Sequence, residues 1–181
     1  EVILTRTKDI SLPLEERTAM ANTHKADLFI SIHVNAHPRQ ATSGVETYFL
    51  NLATNTEAMR VAARENATSS HNISDLQDIL SDLMQNSKIQ ESSILADYVQ
   101  KKLSAGLGSR YATKDLGVKQ APFYVLIGAE MPSILAEISF LSNPKEADRL
   151  RQDEYLAEIA SQIAAGVAGY AEHQATAALQ L

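Results

Sequence analysis

The chain has 181 residues, of which 45% are hydrophobic and 21% charged, as expected for one ordinary globular domain. Its formal net charge of −6, without any basic stretch, argues against a nucleic-acid partner. The sequence contains no cysteine, which excludes disulfides, cysteine nucleophiles and thiolate metal ligands, so any metal must be bound by His, Asp or Glu. No apolar run is long enough for a membrane span.

The first fifty residues predict three strands and one helix. Residues 2–6 are β-favouring, and Ser11-Leu12-Pro13 opens a helix that runs to about His24. The apolar run 28–36 predicts a buried strand, and the alternation in 45–50 predicts a half-buried one. Because the chain starts directly in a strand, our interpretation is that the first βα unit of the domain lies upstream.

Residues 51–106 predict a helical insertion. Three capping boxes begin at Thr54, Ser74 and Ser87, and each precedes apolar residues at helical spacing. A crossover between parallel strands usually needs only one helix, so three in succession suggest an added element. The amphipathic stripe of the middle helix, residues 75–85, fits core packing, or a lid beside a site.

Beyond the insertion, three glycines interrupt the helical pattern. Apolar runs then predict strands at 123–127 and 132–143, and Asn143 precedes a proline and a glutamate as the cap of a helix. A last amphipathic helix follows and ends near His173. The glycines are Gly106, Gly108 and Gly117.

These elements predict the α/β class, with a mixed, mostly parallel twisted sheet flanked by helices, as in phosphorylase/hydrolase-like folds, and a helical insertion. The domain is expected to cover residues 1–173, with 51–106 as the insertion and 174–181 as a frayed tail.

Two ionisable residues interrupt the buried strands. His33 is near the carboxyl end of its predicted strand, where open α/β sheets place their ligands, but a core histidine bonded to a carbonyl remains an alternative. Glu137 stands in an otherwise apolar strand, where an unpaired carboxylate is costly. It must be exposed at the strand end, protonated, bound to a metal or metal-bound water, or paired with an arginine such as Arg6.

Four motifs in order, at residues 5–9, 31–36, 44–49 and 132–143, closely resemble the zinc-dependent N-acetylmuramoyl-L-alanine amidases of bacterial cell-wall remodelling. The resemblance covers nearly the whole chain. It implies an enzyme that cleaves the amide between N-acetylmuramic acid and the L-alanine of the peptidoglycan stem peptide. It also implies a location in the periplasm or cell envelope, although no signal peptide is recognisable in this sequence.

The resemblance also implies roles for individual residues. His33 corresponds to a zinc ligand of the family and Glu137 to its catalytic residue. The family's other two ligands, a histidine and a glutamate, are expected upstream of residue 1, so these 181 residues alone are expected to bind zinc weakly and to be inactive. Arg6, Asn35 and Asn143 belong to the same motifs and are candidates for substrate binding or for shaping the site.

The remaining histidines are weaker candidates for zinc. His33 and His37 have the four-residue spacing of a helical zinc pair, but they flank a strand end and a proline follows. His24, His71 and His173 are expected to be exposed surface residues.

The insertion resembles that of the division-associated amidases of Gram-negative bacteria, in which a helix occludes the site until a partner protein displaces it. An activator protein is therefore an expected partner, beside peptidoglycan. Four acidic side chains are candidates to reach the metal and block it, and the sequence does not choose among them: Glu65, Asp75, Asp78 and Glu91.

Two alternatives to this enzyme stay open. A domain with an incomplete metal site would bind peptidoglycan without cleaving it. A zinc peptidase or other metallohydrolase on a similar sheet would share the ligands but not the four motifs.

Overall fold

The computed structural model describes residues 1–67 and 88–179, and its central feature is a four-stranded mixed sheet. The strands are β1 (Phe29–Asn35), β2 (Val45–Leu50), β3 (Asp115–Ala121) and β4 (Ser133–Phe140), in the order β1-β4-β2-β3. β1 runs parallel to β4 and β2 parallel to β3, whereas β2 and β4 are antiparallel. The predicted mixed sheet is therefore confirmed.

Five helices and one short 3₁₀ turn accompany the sheet in the part of the chain that the structure describes. They are α1 (Leu14–Thr23), α2 (Thr56–Glu65), α3 (Ile89–Tyr111), the 3₁₀ turn (Tyr124–Leu126), α4 (Pro144–Arg149) and α5 (Asp153–Ala178). None of the described helices is long and apolar enough to cross a membrane.

The core has two halves, one on each face of the sheet. On one face Tyr48 and Leu135 pack with residues of α1, α2 and the 3₁₀ turn. On the other face Phe49 and Ile134 pack with α3 and α5. This arrangement, helices on both faces of a sheet, confirms the predicted α/β class.

Both described helices of the predicted insertion contribute to this core. α2 buries Ala58 and Val61, and α3 fully buries Leu95 and Leu103. α2 begins after Asn55, whose side chain accepts from the Ala58 N–H, rather than at the predicted box around Thr54. The predicted helix 75–85 lies outside the described residues.

Residues 2–6 are not a strand, contrary to the sequence prediction. Val2 is 85% exposed and Leu4 65% exposed, and none of the described strands pairs with this segment. Strand propensity alone does not form a strand, because its backbone groups need a hydrogen-bonded neighbour.

The predicted strand at 123–127 is wrong as well. This run forms the 3₁₀ turn, with the Leu126 N–H bonded to the Phe123 carbonyl at 3.0 Å. A short apolar run can equally be a buried helical turn, and periodicity does not separate the two.

The prediction also missed β3, because its sequence is polar and contains Gly117. That glycine has a φ of +78° and lies where the pairing with β2 is irregular, so it marks a bulge rather than the end of an element.

Two further boundaries differ from the prediction. β2 is buried at all six positions rather than half-buried, because it is an inner strand covered on both faces. α5 continues to Ala178, beyond the predicted end at His173, with its last residues exposed to solvent.

Glu146 of α4 connects the helix to the sheet. One of its carboxylate oxygens accepts the Gly44 N–H at 2.9 Å and the other accepts the Phe140 N–H at 2.6 Å. Asn143 caps the same helix, as predicted, by accepting the N–H groups of Lys145 and Glu146.

Glu146→Ala is expected to lower the free energy of unfolding by about 1–3 kcal/mol, because two buried N–H groups lose their acceptor. Glu146→Gln should recover only part of this loss, since its NH₂ group cannot accept. Denaturant unfolding measures the change, and Asp148→Ala, an exposed position on the same helix, is the matched control. Equal stability of the Ala variant and the control would contradict the assigned role.

Candidate active site

His33 and Glu137 are direct neighbours on adjacent parallel strands. Their Cα positions pair in the register of β1 with β4, so the two side chains lie side by side. The pairing becomes irregular immediately after His33, between this residue and Asn35. The two residues that the sequence singled out are therefore brought together by strand pairing.

Glu137 carries a fully buried carboxylate. Neither of its oxygens has a hydrogen-bond partner among the described residues. Burial, together with the charge of Glu65, raises the pKa of Glu137 well above its ordinary value, although Arg64 acts in the opposite direction. A buried carboxylate without hydrogen bonds is costly for a fold, and such groups concentrate at functional sites.

The imidazole of His33 has a contact on each ring nitrogen. Nδ1 lies 2.5 Å from Glu65 Oε2, and Nε2 lies 2.9 Å from the Ser31 hydroxyl. Burial by itself would raise the pKa of Glu65, but the hydrogen bonds and charges of His33 and Arg64 outweigh it, so the pKa is lowered. Glu65 therefore faces His33 as a carboxylate.

The position of Glu65 depends on the end of α2. Glu65 is the last residue of this helix, and Asn66 is its C-cap. The Asn66 side chain donates to the Pro122 carbonyl at 2.8 Å and accepts the Tyr124 N–H at 2.8 Å. These bonds attach the end of α2 to the segment between β3 and β4, so that Glu65 reaches His33.

Arg64 is the cation at this site. Its guanidinium donates to Asn35 Oδ1 at 2.8 Å, to the Ala36 carbonyl, and to Glu65 Oε1 at 3.1 Å. It also lies 3.9 Å from Glu137 Oε1. The arginine beside Glu137 is thus Arg64. Arg6, which the sequence suggested for this ion pair, instead donates to the Ile10 carbonyl at 2.8 Å.

Other residues predicted for the site lie elsewhere. Asn143 caps α4 and donates to the carbonyls of Gln40 and Thr42, which is a structural role. Glu91, in the first turn of α3, pairs with Lys88 at 3.3 Å. Asp75 and Asp78 lie outside the described residues. Of the two acidic candidates that the structure describes, Glu65 and Glu91, Glu65 is the one that lies against His33.

The other described histidines do not join His33. His37 lies 3.7 Å from Glu57, and its Nδ1 accepts the Arg39 N–H. His24 bonds the Met20 carbonyl of its own helix, and His173 lies beside the ring of Tyr98. His71 is outside the described residues. The helical pairing of His33 with His37 is therefore not supported.

Sequence reasoning missed Arg64 and Glu46. Arg64 belongs to a segment predicted as a capped helix, and the prediction gave this residue no role. Glu46 belongs to a strand predicted to be half-buried, but it is buried and pairs with Glu137 on the neighbouring strand. The signal that could have identified Glu46 is a glutamate within an inner strand. Recognising that signal requires knowing that β2 is an inner strand, which the sequence does not show.

The fit of a zinc ion can be tested on these side chains. Residues 1–67 and 88–179 contain no group of three or more His, Asp or Glu placed to hold a metal ion. The cluster offers one imidazole, that of His33, with Glu65 and Glu137 nearby. These residues therefore do not complete a three-ligand zinc site among themselves.

Comparison with known proteins identifies the family. Residues 1–169 match the family described as N-acetylmuramoyl-L-alanine amidase, and the chain belongs to this family.

Individual relatives agree with this assignment. The N-acetylmuramoyl-L-alanine amidase LytC of Bacillus subtilis (strain 168) is 34% identical over 168 residues, which are 93% of this chain and 26% of that protein. AmiA of Escherichia coli (strain K12), another such amidase, is 34% identical over 180 residues, 92% of this chain and 60% of that protein. The chain thus spans less than two thirds of either relative.

Solved structures show the same fold. The crystal structure of N-acetylmuramoyl-L-alanine amidase from Clostridium difficile 630 superposes with a TM-score of 0.67 at 25% identity, covering 95% of this chain and 72% of that one.

Proposed function

We propose that the protein hydrolyses the amide bond between the lactyl group of N-acetylmuramic acid and the L-alanine of the peptidoglycan stem peptide. One observation carries the proposal: a chain of the N-acetylmuramoyl-L-alanine amidase family holds a buried carboxylate without a described hydrogen-bond partner, Glu137, next to His33 on the adjacent strand. Glu137 is suited to proton transfer, because a raised pKa brings a carboxylate closer to neutral pH.

The reaction adds water across the amide. The carbonyl carbon gains the water oxygen, the carbon–nitrogen bond breaks, and the products are a muramic acid carboxylate and a peptide with a free amine. Glu137 takes the proton of the attacking water and returns it to the leaving nitrogen. Arg64, 3.9 Å away, supplies the opposite charge while Glu137 is ionised.

Zinc is proposed as the cofactor, with His33 as one ligand and the remaining ligands outside the described residues. A bound zinc ion polarises a carbonyl and lowers the pKa of water. The resemblance to zinc-dependent amidases and the imidazole of His33, a common zinc ligand, support this proposal. Metal analysis of the purified protein tests it without any activity measurement.

Incubation of the full-length protein with purified cell walls tests the function itself. New N-terminal alanines and released stem peptides, identified by mass spectrometry, are the expected products. If the protein sediments with insoluble peptidoglycan but produces no new amines, the second candidate, a non-catalytic binding module, is favoured. The absence of a three-ligand group among the described residues is the observation that favours this second candidate.

Glu65 is proposed to restrain the enzyme. Its carboxylate holds His33 at 2.5 Å, and it leads directly into residues 68–87, where the predicted helix 75–85 falls. A partner protein that pulls this segment away would free His33. Roles in the cell envelope and in daughter-cell separation follow from the resemblance to division-associated amidases and are part of this proposal.

Glu65→Ala is expected to raise hydrolysis in the absence of any activator by at least about fivefold, because His33 loses its carboxylate partner. The rate of amine release from cell walls is the measurement. Glu91→Ala is the matched control, since that glutamate pairs with Lys88 away from His33. Deleting roughly residues 69–90 with a short flexible linker should act in the same direction. A folded Glu65→Ala variant no faster than the parent would refute the restraint.

A further inference from the structure

Another buried carboxylate, Glu46, lies opposite Glu137 on the neighbouring strand β2. The two residues pair in the antiparallel register of β2 with β4, and Glu46 is 2% exposed. Unlike Glu137, Glu46 has hydrogen bonds on both oxygens. Oε1 accepts from Asn35 Nδ2 at 2.7 Å and from the Tyr48 hydroxyl at 2.8 Å, and Oε2 accepts from Lys119 Nζ.

Lys119 of β3 is the charge partner of Glu46. Its ammonium reaches Glu46 from the neighbouring strand and compensates the buried negative charge. Burial and the charge of Glu46 raise the pKa of the Tyr48 hydroxyl, so Tyr48 acts as a donor. A carboxylate only accepts hydrogen bonds, and the three donors on its two oxygens hold Glu46 in one orientation.

This orientation determines how the Asn35 amide points. Because the carboxylate that pairs with the Lys119 ammonium only accepts hydrogen bonds, Asn35 directs its NH₂ group toward Glu46 and its oxygen to the opposite side. The oxygen is the atom that accepts from Arg64 Nη2, at 2.8 Å. With the amide reversed, two donors would face each other at Arg64.

Arg64 is the next member of the same chain of contacts. Its side chain is long and has many rotamers, so its place beside Glu137 depends on the groups that bind it. Asn35 and the Ala36 carbonyl bind it from β1, and Glu65 binds it from its own helix. The contacts therefore run from Lys119 through Glu46 and Asn35 to the guanidinium beside Glu137.

We propose that Glu46 is a positioning residue for the hydrolysis: through Asn35 it holds the Arg64 guanidinium beside Glu137. The inference rests on the proposed function, and it adds a residue of β2 to the site without giving that residue contact with the substrate. It requires that Glu46 acts through Arg64, which a purely structural role in the core does not require.

Two double variants isolate the hydrogen bond from Glu46 to Asn35. Glu46→Gln with Lys119→Met removes the ion pair but leaves an amide oxygen that can accept from Asn35. Glu46→Leu with Lys119→Met removes the ion pair and the acceptor. We expect kcat near that of the parent in the Gln variant and about tenfold lower in the Leu variant, with KM unchanged in both.

The same pair of variants is then made with Arg64→Met. If Glu46 acts through Arg64, the difference in kcat between the Gln and Leu variants disappears in this background. A difference of the same size with and without Arg64 would overturn the proposal. Asn35→Ala interrupts the contacts with a smaller change, so it replaces the Leu variant if that variant does not fold, and it should lower kcat only while Arg64 is present.

An NMR measurement separates this inference from the proposed function. The Arg64 Nε–Hε resonance, assigned by its loss in Arg64→Met, should stay in place in the Gln variant and move toward the resonances of exposed arginines in the Leu variant. A protein that cleaves no amide refutes the proposed function, and the NMR result then decides the positioning alone. An Arg64 resonance unmoved in the Leu variant overturns the inference, whatever the activity.

Discussion

In the full-length protein, Glu137→Gln is expected to reduce hydrolysis of purified cell walls by about 10²- to 10⁴-fold, the usual contribution of a general acid–base group. Glutamine keeps the shape of the side chain but cannot take a proton from water. The rate of amine release measures the loss. Glu130→Gln, at an exposed glutamate, is the control and should leave the rate unchanged.

The same variant distinguishes two roles for Glu137. If it transfers protons, the zinc content of the Gln variant stays at the level of the parent. Loss of metal together with activity would instead make Glu137 a ligand. The free energy of unfolding is not expected to fall, because the substitution removes a buried carboxylate that has no hydrogen-bond partner among the described residues.

In the full-length protein, His33→Ala is expected to lower zinc content from about one ion per protein toward zero, because a catalytic zinc held by three protein ligands loses one of them. Elemental analysis after dialysis measures the change, independently of activity. His37→Ala is the matched control, since His37 lies near Glu57 rather than in the cluster around His33. Unchanged zinc in the His33 variant would show that the metal, if present, is bound elsewhere.

Added zinc is expected to affect the His33→Ala and Glu137→Gln variants differently. Added zinc at high concentration can refill a weakened site, so activity of His33→Ala should recover in part. Glu137→Gln should not recover at any zinc concentration, because the missing proton acceptor is not supplied by metal. Recovery of both variants by zinc would contradict the assignment of separate roles.

Much of the fold could be predicted from local patterns. α1, β1, β2, β4 and α4 lie where the apolar spacing and caps place them, because each carries a signal within its own residues. The errors fall where partners decide. Residues 2–6 have strand propensity without a described neighbouring strand, and β3 is a polar strand formed by pairing with β2.

His33 and Glu137 could be recognised from the sequence by themselves, since an ionisable residue in a buried apolar run is costly and therefore noticeable. The resemblance to the amidase family rests on the same strands, and the family is confirmed. Only the tertiary structure decided which groups surround these two residues. Glu65, Arg64 and Glu46 reach them through the end of α2 and the register of β2 with β4. That register depends on pairing between distant segments, and no local pattern encodes it.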